Sequence, residues 1–259
     1  MAGKRPRLLA LANQKGGVGK TTIAVNLSCA LAARGKTVLL VDGDSQAAAT
    51  SWLMGPGEAD PSLADVLMGE RSVEETTVEL WENLSLLPAS GRLAVVEKTV
   101  AADPGPKLTL KTALADVRCD FVLMDCPPSL GFLAVQSLAA ASEVLAPLQT
   151  EPMALRGLAN LQRLVGVIRA RFSPGLDVSG IIPTMYDFRL RICREILWGL
   201  RERFGSKVLP PIRADVRLKE APAHRQPIQR FAPSCRAAMD FEQLADCILS
   251  GGKEDLTRG

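Results

Sequence analysis

Two kinds of apolar segment alternate along this chain of 259 residues. Short and almost uninterrupted apolar runs, such as 121–124, have the length of buried strands, whereas 23–34 is apolar at helical spacing and ends before Gly35. Strands that are apolar along their whole length, separated by helices, are typical of a parallel sheet with both faces covered. The pattern therefore predicts an α/β fold with a mostly parallel, twisted sheet and helices on both faces. The predicted strands are 7–12, 37–41, 83–88, 121–124, 143–148 and 178–183, and the later helices are 154–172, 188–204 and 234–249.

The same alternation continues almost to the last residue, and no internal repeat interrupts it. Residues 43–82 are less regular, and Pro and Gly at 103–106 interrupt a helical pattern over 91–117. We expect one domain over residues 1–259, with a frayed tail at 250–259.

Composition and charge exclude several classes of protein. The six cysteines form no C-x-x-C pair, which argues against a zinc or iron–sulfur scaffold and favours a reduced, cytoplasmic protein. No apolar run approaches the ~18 residues of a membrane span, and no signal peptide is visible, so we expect no membrane partner. The net charge of +3 is too small to predict nucleic-acid binding by the chain as a whole.

A glycine-rich loop connects the first predicted strand to the first predicted helix. Strand, glycine loop and helix N-terminus together form a phosphate-binding arrangement, because glycines let backbone amides approach phosphate oxygens. Lys20 would reach the terminal phosphates, and the Thr21 hydroxyl would bind Mg²⁺. We therefore predict a P-loop nucleotide site that contains Lys15, Gly16, Gly17, Val18, Gly19, Lys20, Thr21 and Thr22.

Three aspartates follow predicted strands and complete this site. Asp125 ends the apolar run 121–124 and would hold Mg²⁺ through water. Asp42 and Asp44 follow another strand; one would order metal-bound water and the other would orient the attacking water. Each could instead be a cap or turn residue. Because ligands bind beyond the carboxyl ends of parallel strands, we expect the loop and these acids to form one site.

Positive charge is concentrated in one part of the chain. Residues 185–236 contain twelve Lys or Arg against five Asp or Glu, a balance of +7 that leaves −4 for the rest. Such segregation favours a surface that faces anions, and the scarcity of aromatic residues favours phosphate contact over base stacking. The alternative is a solvated helix face with i,i+4 ion pairs.

The loop also departs from the standard P-loop, because Gln14 replaces its first glycine and Lys15 adds a second lysine. In this it resembles the deviant Walker A motif of the ParA/MinD family of ATPases. The resemblance extends to 41–46 and 125–131, and it covers nearly the whole chain. Further similar segments are 150–152, 183–187 and 216–222. Only six residues precede the first strand, so we expect a ParA-type protein without an N-terminal DNA-binding domain.

This resemblance implies a mechanism. Two subunits would enclose two ATP molecules, with Lys15 of each reaching the other's phosphates and Asp44 positioning the hydrolytic water, so that Lys15, Lys20 and Asp44 are the expected catalytic residues. Hydrolysis would depend on Mg²⁺ and be slow unless stimulated. The family pattern places the adenine near Met185, Pro211, Arg213 and Asp215, and the metal near Thr21, Asp42 and Asp125. Ser45, Arg213 and Asp215 differ from the residues common in the family.

The resemblance also implies partners. ATP-bound dimers would bind double-stranded DNA without sequence preference, on the nucleoid, and a ParB-like protein would stimulate hydrolysis while plasmid or chromosome DNA is segregated. The expected DNA contacts are Arg189, Arg191, Arg217 and Lys219. The alternatives are a MinD-like membrane regulator, a positioner of a non-DNA cargo, and a metabolic enzyme on the same scaffold. Acids in the last helix and tail argue against the membrane regulator, which needs a basic amphipathic end.

Overall fold

A single seven-stranded sheet forms the centre of the computed structural model, which describes residues 5–101, 109–129 and 131–251. The strands are β1 Arg7–Leu11, β2 Val38–Asp42, β3 Val78–Trp81, β4 Leu84–Leu87, β5 Phe121–Asp125, β6 Glu143–Gln149 and β7 Asp177–Thr184. Their order across the sheet is β3-β4-β2-β5-β1-β6-β7. Only β3 runs antiparallel to its neighbour, so the prediction of a mostly parallel sheet is confirmed.

Helices connect the strands and cover the sheet. They are α1 Lys20–Ala32, α2 Ala48–Met54, α3 Leu63–Met68, α4 Val73–Thr76, α5 Arg92–Ala101, α6 Thr109–Ala113, α7 Phe132–Ala140, α8 Ala154–Arg171, α9 Arg191–Phe204, α10 Arg217–Glu220, α11 Ile228–Phe231 and α12 Arg236–Leu249. Short 3₁₀ turns occupy Gly205–Lys207 and Ala221–His224. The predicted break at 103–106 and most of the predicted tail, 252–259, lie outside the described residues.

Alternating residues of the central strands pack into two separate hydrophobic layers. Leu9, Leu11 and Leu123 contact the layer that contains α1 and α12, whereas Val122 and Met124 contact the layer of α3 and α5–α8. Every residue of β2 and β5 is buried, as expected for strands with helices on both faces. Among the described residues, no helix combines the length and hydropathy needed to cross a membrane.

The register of the central strands brings their carboxyl ends together. Asp42 at the end of β2 is level with Asp125 at the end of β5, and Leu11 at the end of β1 is level with Asp125 on its other side. The loop that precedes α1 therefore begins beside Asp125, and Asp42 lies one strand further along the same edge.

Candidate functional site

The glycine loop has the backbone conformation that a phosphate cradle needs. Gly17 and Gly19 have φ of +76° and +92°, in the left-handed region that residues with a side chain seldom adopt. Gly19 is the N-cap of α1, and no side chain of the described residues forms a capping hydrogen bond there. Free backbone amides at a helix N-terminus favour an anion. The loop therefore presents a ready site for phosphate oxygens.

Hydrogen bonds to distant strands hold this loop in place. The side-chain nitrogen of Asn13, Nδ2, donates to the Pro147 carbonyl of β6 at 2.7 Å, and its side-chain oxygen, Oδ1, accepts from the backbone amide of Lys15 at 3.0 Å. On the other side, the Thr184 hydroxyl donates to the Val18 carbonyl at 2.9 Å. Neither Asn13 nor Thr184 was predicted to support the loop, because no local pattern indicates a contact across more than one hundred residues.

Lys20 lies inside the site, at the first residue of α1. Its ammonium is close to the Lys15 carbonyl, at 3.5 Å, and the residue is only 7% exposed. Burial lowers the pKa of Lys20, while Asp125 acts in the opposite direction. A nearly buried ammonium beside a helix N-terminus can bind phosphate oxygens strongly, because little water competes with them.

Asp125 is a buried carboxylate whose oxygens are poorly satisfied by the rest of the described chain. It is 1% exposed, and no hydrogen bond of ordinary geometry reaches either of its oxygens in the part of the chain that is described. Burial, followed by the charge of Asp42, raises the pKa of Asp125 to about 8, while the nearby Thr21 hydroxyl and Lys20 ammonium lower it. Such a group is costly unless a cation or its water contacts it. The carboxylate and the hydroxyl are oxygen donors of the kind that suits Mg²⁺, so these residues fit the metal.

Asp42 is also buried, but its carboxylate accepts hydrogen bonds from neighbouring residues. Its Oδ2 accepts from the amide and the hydroxyl of Thr50, at 2.8 and 2.7 Å, and its Oδ1 accepts from the Asp44 amide at 3.3 Å. Burial raises the pKa of Asp42 to about 6. Any contact with a metal or its water would therefore use Oδ1, and the predicted metal role of Asp42 stays a prediction.

Asp44 stands in a tight turn beside these groups. Its Oδ1 accepts from the Gln46 amide at 2.9 Å, as expected for a turn residue. Its role in positioning the attacking water stays a prediction. Gly43 is required here by close approach, because a Cβ at this position would lie 2.8 Å from the Asp125 carbonyl oxygen. The segment that carries Asp44 is thus packed directly on the end of β5.

Lys15 points away from its own glycine loop. Its ammonium forms an ion pair with Glu151, lies 3.4 Å from Gln149 Oε1, and has a side chain that is 48% exposed. Gln149 is the last residue of β6, and Glu151 follows two residues later. The structure therefore brings Lys15 to the rim of the site, in contact with Gln149 and with a residue of the segment 150–152.

The segments predicted to surround the base do lie together. The Tyr186 amide donates to the Ile212 carbonyl at 3.1 Å, and the Ala214 amide donates to the Tyr186 carbonyl at 3.0 Å. These bonds join the segment with Met185 to the segment with Pro211. Within the second segment, however, the polar candidates already have structural partners.

Arg213 forms an ion pair with Asp240, at 2.6 Å, and the Asp240 side chain is only 4% exposed. The Asp215 carboxylate accepts from the Arg217 amide at 2.9 Å, where α10 begins. Any contact of Arg213 or Asp215 with a base would therefore compete with these interactions.

The predicted DNA-binding residues are exposed, and three of the four pair with acids. Arg189 pairs with Asp187, Arg191 with Glu195, and Arg217 with Glu220; the three arginine side chains are 77%, 85% and 55% exposed. Lys219 forms no ion pair within the described part of the chain. Exposed pairs of this kind are worth only about 0–1 kcal/mol, so phosphate oxygens could replace the acids.

Comparisons with known proteins agree with this geometry. Residues 6–178 match the family described as an AAA domain. A chromosome partitioning protein ParA from Caulobacter vibrioides is 39% identical over 251 residues, which cover 94% of each chain. A chromosome-partitioning ATPase Soj from Thermus thermophilus is 41% identical and covers 96% of this chain and 97% of its own.

A solved structure is also similar over the whole fold. It is described as a cobyrinic acid a,c-diamide synthase from Mycobacterium smegmatis with bound ATP analog and magnesium; it is 35% identical, has a TM-score of 0.81, and covers 94% of both chains. Fold, glycine loop and sequence identity lead to the same assignment: this chain belongs to the ParA/Soj family of chromosome-partitioning ATPases.

Proposed function

We propose that this protein is a Mg²⁺-dependent ATPase that forms a dimer around ATP, binds DNA without sequence preference in that state, and segregates chromosome or plasmid DNA. A ParB-like partner would stimulate hydrolysis, and the dimer would reside on the nucleoid in the cytoplasm. The observation that supports this proposal most is the position of Lys15, whose ammonium lies at the rim of the site and not among its own loop amides.

Nucleotide binding follows from the loop and the groups beneath it. The loop amides and the Lys20 ammonium bind the phosphates, while the Thr21 hydroxyl and the Asp125 carboxylate supply oxygen contacts for the metal. Bound Mg²⁺ would neutralise charge on the phosphate oxygens. Asp44 accepts a hydrogen bond from the attacking water and so orients it, which is the main task in phosphoryl transfer.

Dimerisation is supported by exposed apolar side chains in the two segments that follow β6 and β7, which pair in parallel and end side by side. These side chains are Met153, Leu155, Phe188 and Leu190. Exposed large apolar side chains at one edge of a sheet favour a protein contact. In the proposed dimer the phosphates of the second subunit come within reach of Lys15. Since the extra cation helps only when a triphosphate is present, ATP and association would be coupled.

DNA binding is supported by the basic segment 185–236 and its exposed arginines. If the dimer contacts about five phosphates, the logarithm of the binding constant falls with the logarithm of salt concentration at a slope of about −4 to −5.

A gel shift with random duplex DNA tests this proposal, with ATP, ADP and no nucleotide compared at one salt concentration. We expect retention with ATP and little without it. A liposome pelleting assay serves as the control for membrane binding. Intact ATP binding without DNA retention in any state would refute the DNA role, and sedimentation with liposomes would favour the membrane alternative.

A further inference from the structure

The Lys15 ammonium has two acceptors on one distant segment of its own chain. It forms an ion pair with Glu151 and donates to Gln149 Oε1 at 3.4 Å, although 136 and 134 residues separate the partners. The Lys15 side chain is 48% exposed and that of Glu151 is 30% exposed. The contact is thus at the surface, where a second molecule could replace it.

The backbones on both sides of this ion pair are joined as well. The backbone amide of Lys15 donates to Asn13 Oδ1 at 3.0 Å, and Asn13 Nδ2 donates to the Pro147 carbonyl of β6 at 2.7 Å. The Lys15 carbonyl accepts from the Lys20 ammonium at 3.5 Å. Because the two segments are already fixed to each other, little further ordering is needed for Glu151 to hold Lys15.

We propose that Glu151, with Gln149, is a positioning residue that holds Lys15 within its own subunit until a triphosphate on a second subunit takes the ammonium over. This inference rests on the proposed function, in which Lys15 acts across a dimer. A triphosphate carries more negative charge than one carboxylate, so it attracts the ammonium more strongly once it comes within reach. A nucleotide without the terminal phosphate attracts it less, and Lys15 stays with Glu151. Glu151 therefore sets the ATP and protein concentrations at which dimers form.

The size of the effect follows from the exposure of the pair. A partly exposed ion pair shifts an equilibrium by about two- to fivefold. Two such pairs open in each symmetric dimer, so removing the Glu151 charge strengthens dimerisation by about 4- to 25-fold.

The test compares wild type with Glu151→Gln in sedimentation velocity over a concentration series, with Mg²⁺ and a non-hydrolysable ATP analogue. We expect tighter dimerisation of the variant, unchanged binding of the analogue to the monomer, and a difference that shrinks at high salt. Glu242→Gln is the matched control, because it removes a glutamate charge paired with Arg34 between α1 and α12, outside the site. We expect that variant to dimerise like wild type.

A second measurement follows the ion pair directly and needs no dimer. The rate of amine acetylation at Lys15, relative to the exposed Lys219, is measured by mass spectrometry without nucleotide. We expect it to rise by up to about fivefold in Glu151→Gln. If that variant fails to fold, Gln149→Ala replaces it, and its effects should have the same direction and smaller size.

The outcomes separate the two proposals. If wild type dimerises with the analogue and Glu151→Gln dimerises equally or more weakly, the positioning role is refuted and the proposed function stands. An unchanged Lys15 acetylation rate would also refute the positioning role. If neither protein dimerises although both bind the analogue, the proposed function fails and the inference fails with it.

Discussion

The buried Asp125 carboxylate predicts an unusual dependence of stability on pH, which Asp125→Asn should remove. Without a metal, burial raises the pKa of Asp125 to about 8, far above that of an aspartate in the unfolded chain. Between about pH 4 and pH 8 the folded protein therefore holds a proton that the unfolded chain has lost. The contribution is fully present below about pH 4, decreases as pH rises, and is lost once pH has passed the pKa of the folded state, about 8.

The size of this effect is the slope of the free energy of unfolding against pH. One extra proton bound by the folded state makes the free energy of unfolding fall by up to about 1.4 kcal/mol per pH unit. An asparagine side chain does not ionise over this pH window. The stability of Asp125→Asn relative to wild type should therefore rise with pH. Asp116→Asn, which replaces an exposed aspartate outside the site, is the matched control and should follow wild type.

Urea unfolding at pH 5.5, 6.5 and 7.5, in EDTA and without nucleotide, measures this difference. Parallel pH profiles for wild type and Asp125→Asn would refute the assignment of Asp125 as a buried carboxyl group with a raised pKa. Adding ATP and Mg²⁺ should reverse the ranking at pH 7.5, because the ligands stabilise wild type and the asparagine holds the cation poorly.

The remaining predictions concern nucleotide and DNA. Lys20→Ala should weaken ATP binding by about 10- to 100-fold, because a nearly buried charged contact to phosphate is lost; titration with a fluorescent ATP analogue measures the affinity, and an unchanged affinity would mean that Lys20 does not contact the phosphates. Asp44→Ala should bind ATP normally and hydrolyse it at least about 10-fold more slowly in a phosphate-release assay, whereas normal turnover would mean that Asp44 has no role in hydrolysis. Arg189→Ala combined with Arg217→Ala should reduce the salt dependence of DNA binding while ATP-dependent dimers persist, and an unchanged salt slope would mean that DNA binds elsewhere.

Local pattern predicted much of the fold because apolar runs and helical spacing reflect burial directly. The five-residue strands β1, β2 and β5 and the long helix α8 are examples, and the end of β5 correctly indicated where Asp125 would lie. The edge strand β3 was missed, since Val78–Trp81 is only partly buried and is joined to β4 by a turn at Asn83 without a glycine signal.

The site was less predictable wherever a residue depends on a partner far along the chain. The sequence indicated that Lys15 is unusual but not that Glu151 binds it, because a spacing of 136 residues leaves no periodic trace. Arg213 was expected near the base, and the sequence did not indicate that it forms an ion pair with the buried Asp240 on α12. Such pairings depend on how helices pack after the chain has folded, and single-sequence patterns do not contain that information.

Thr184, at the end of β7, joins three segments that would otherwise be independent. Its hydroxyl binds the Val18 carbonyl, and its carbonyl accepts from the Thr150 amide at 3.2 Å, while Met185 follows it directly. Any protein that pulls on the exit of β7 would thus disturb both the phosphate cradle and the turn before Glu151. A protein bound at that exit would therefore reach the glycine loop through one threonine, without contacting the loop itself.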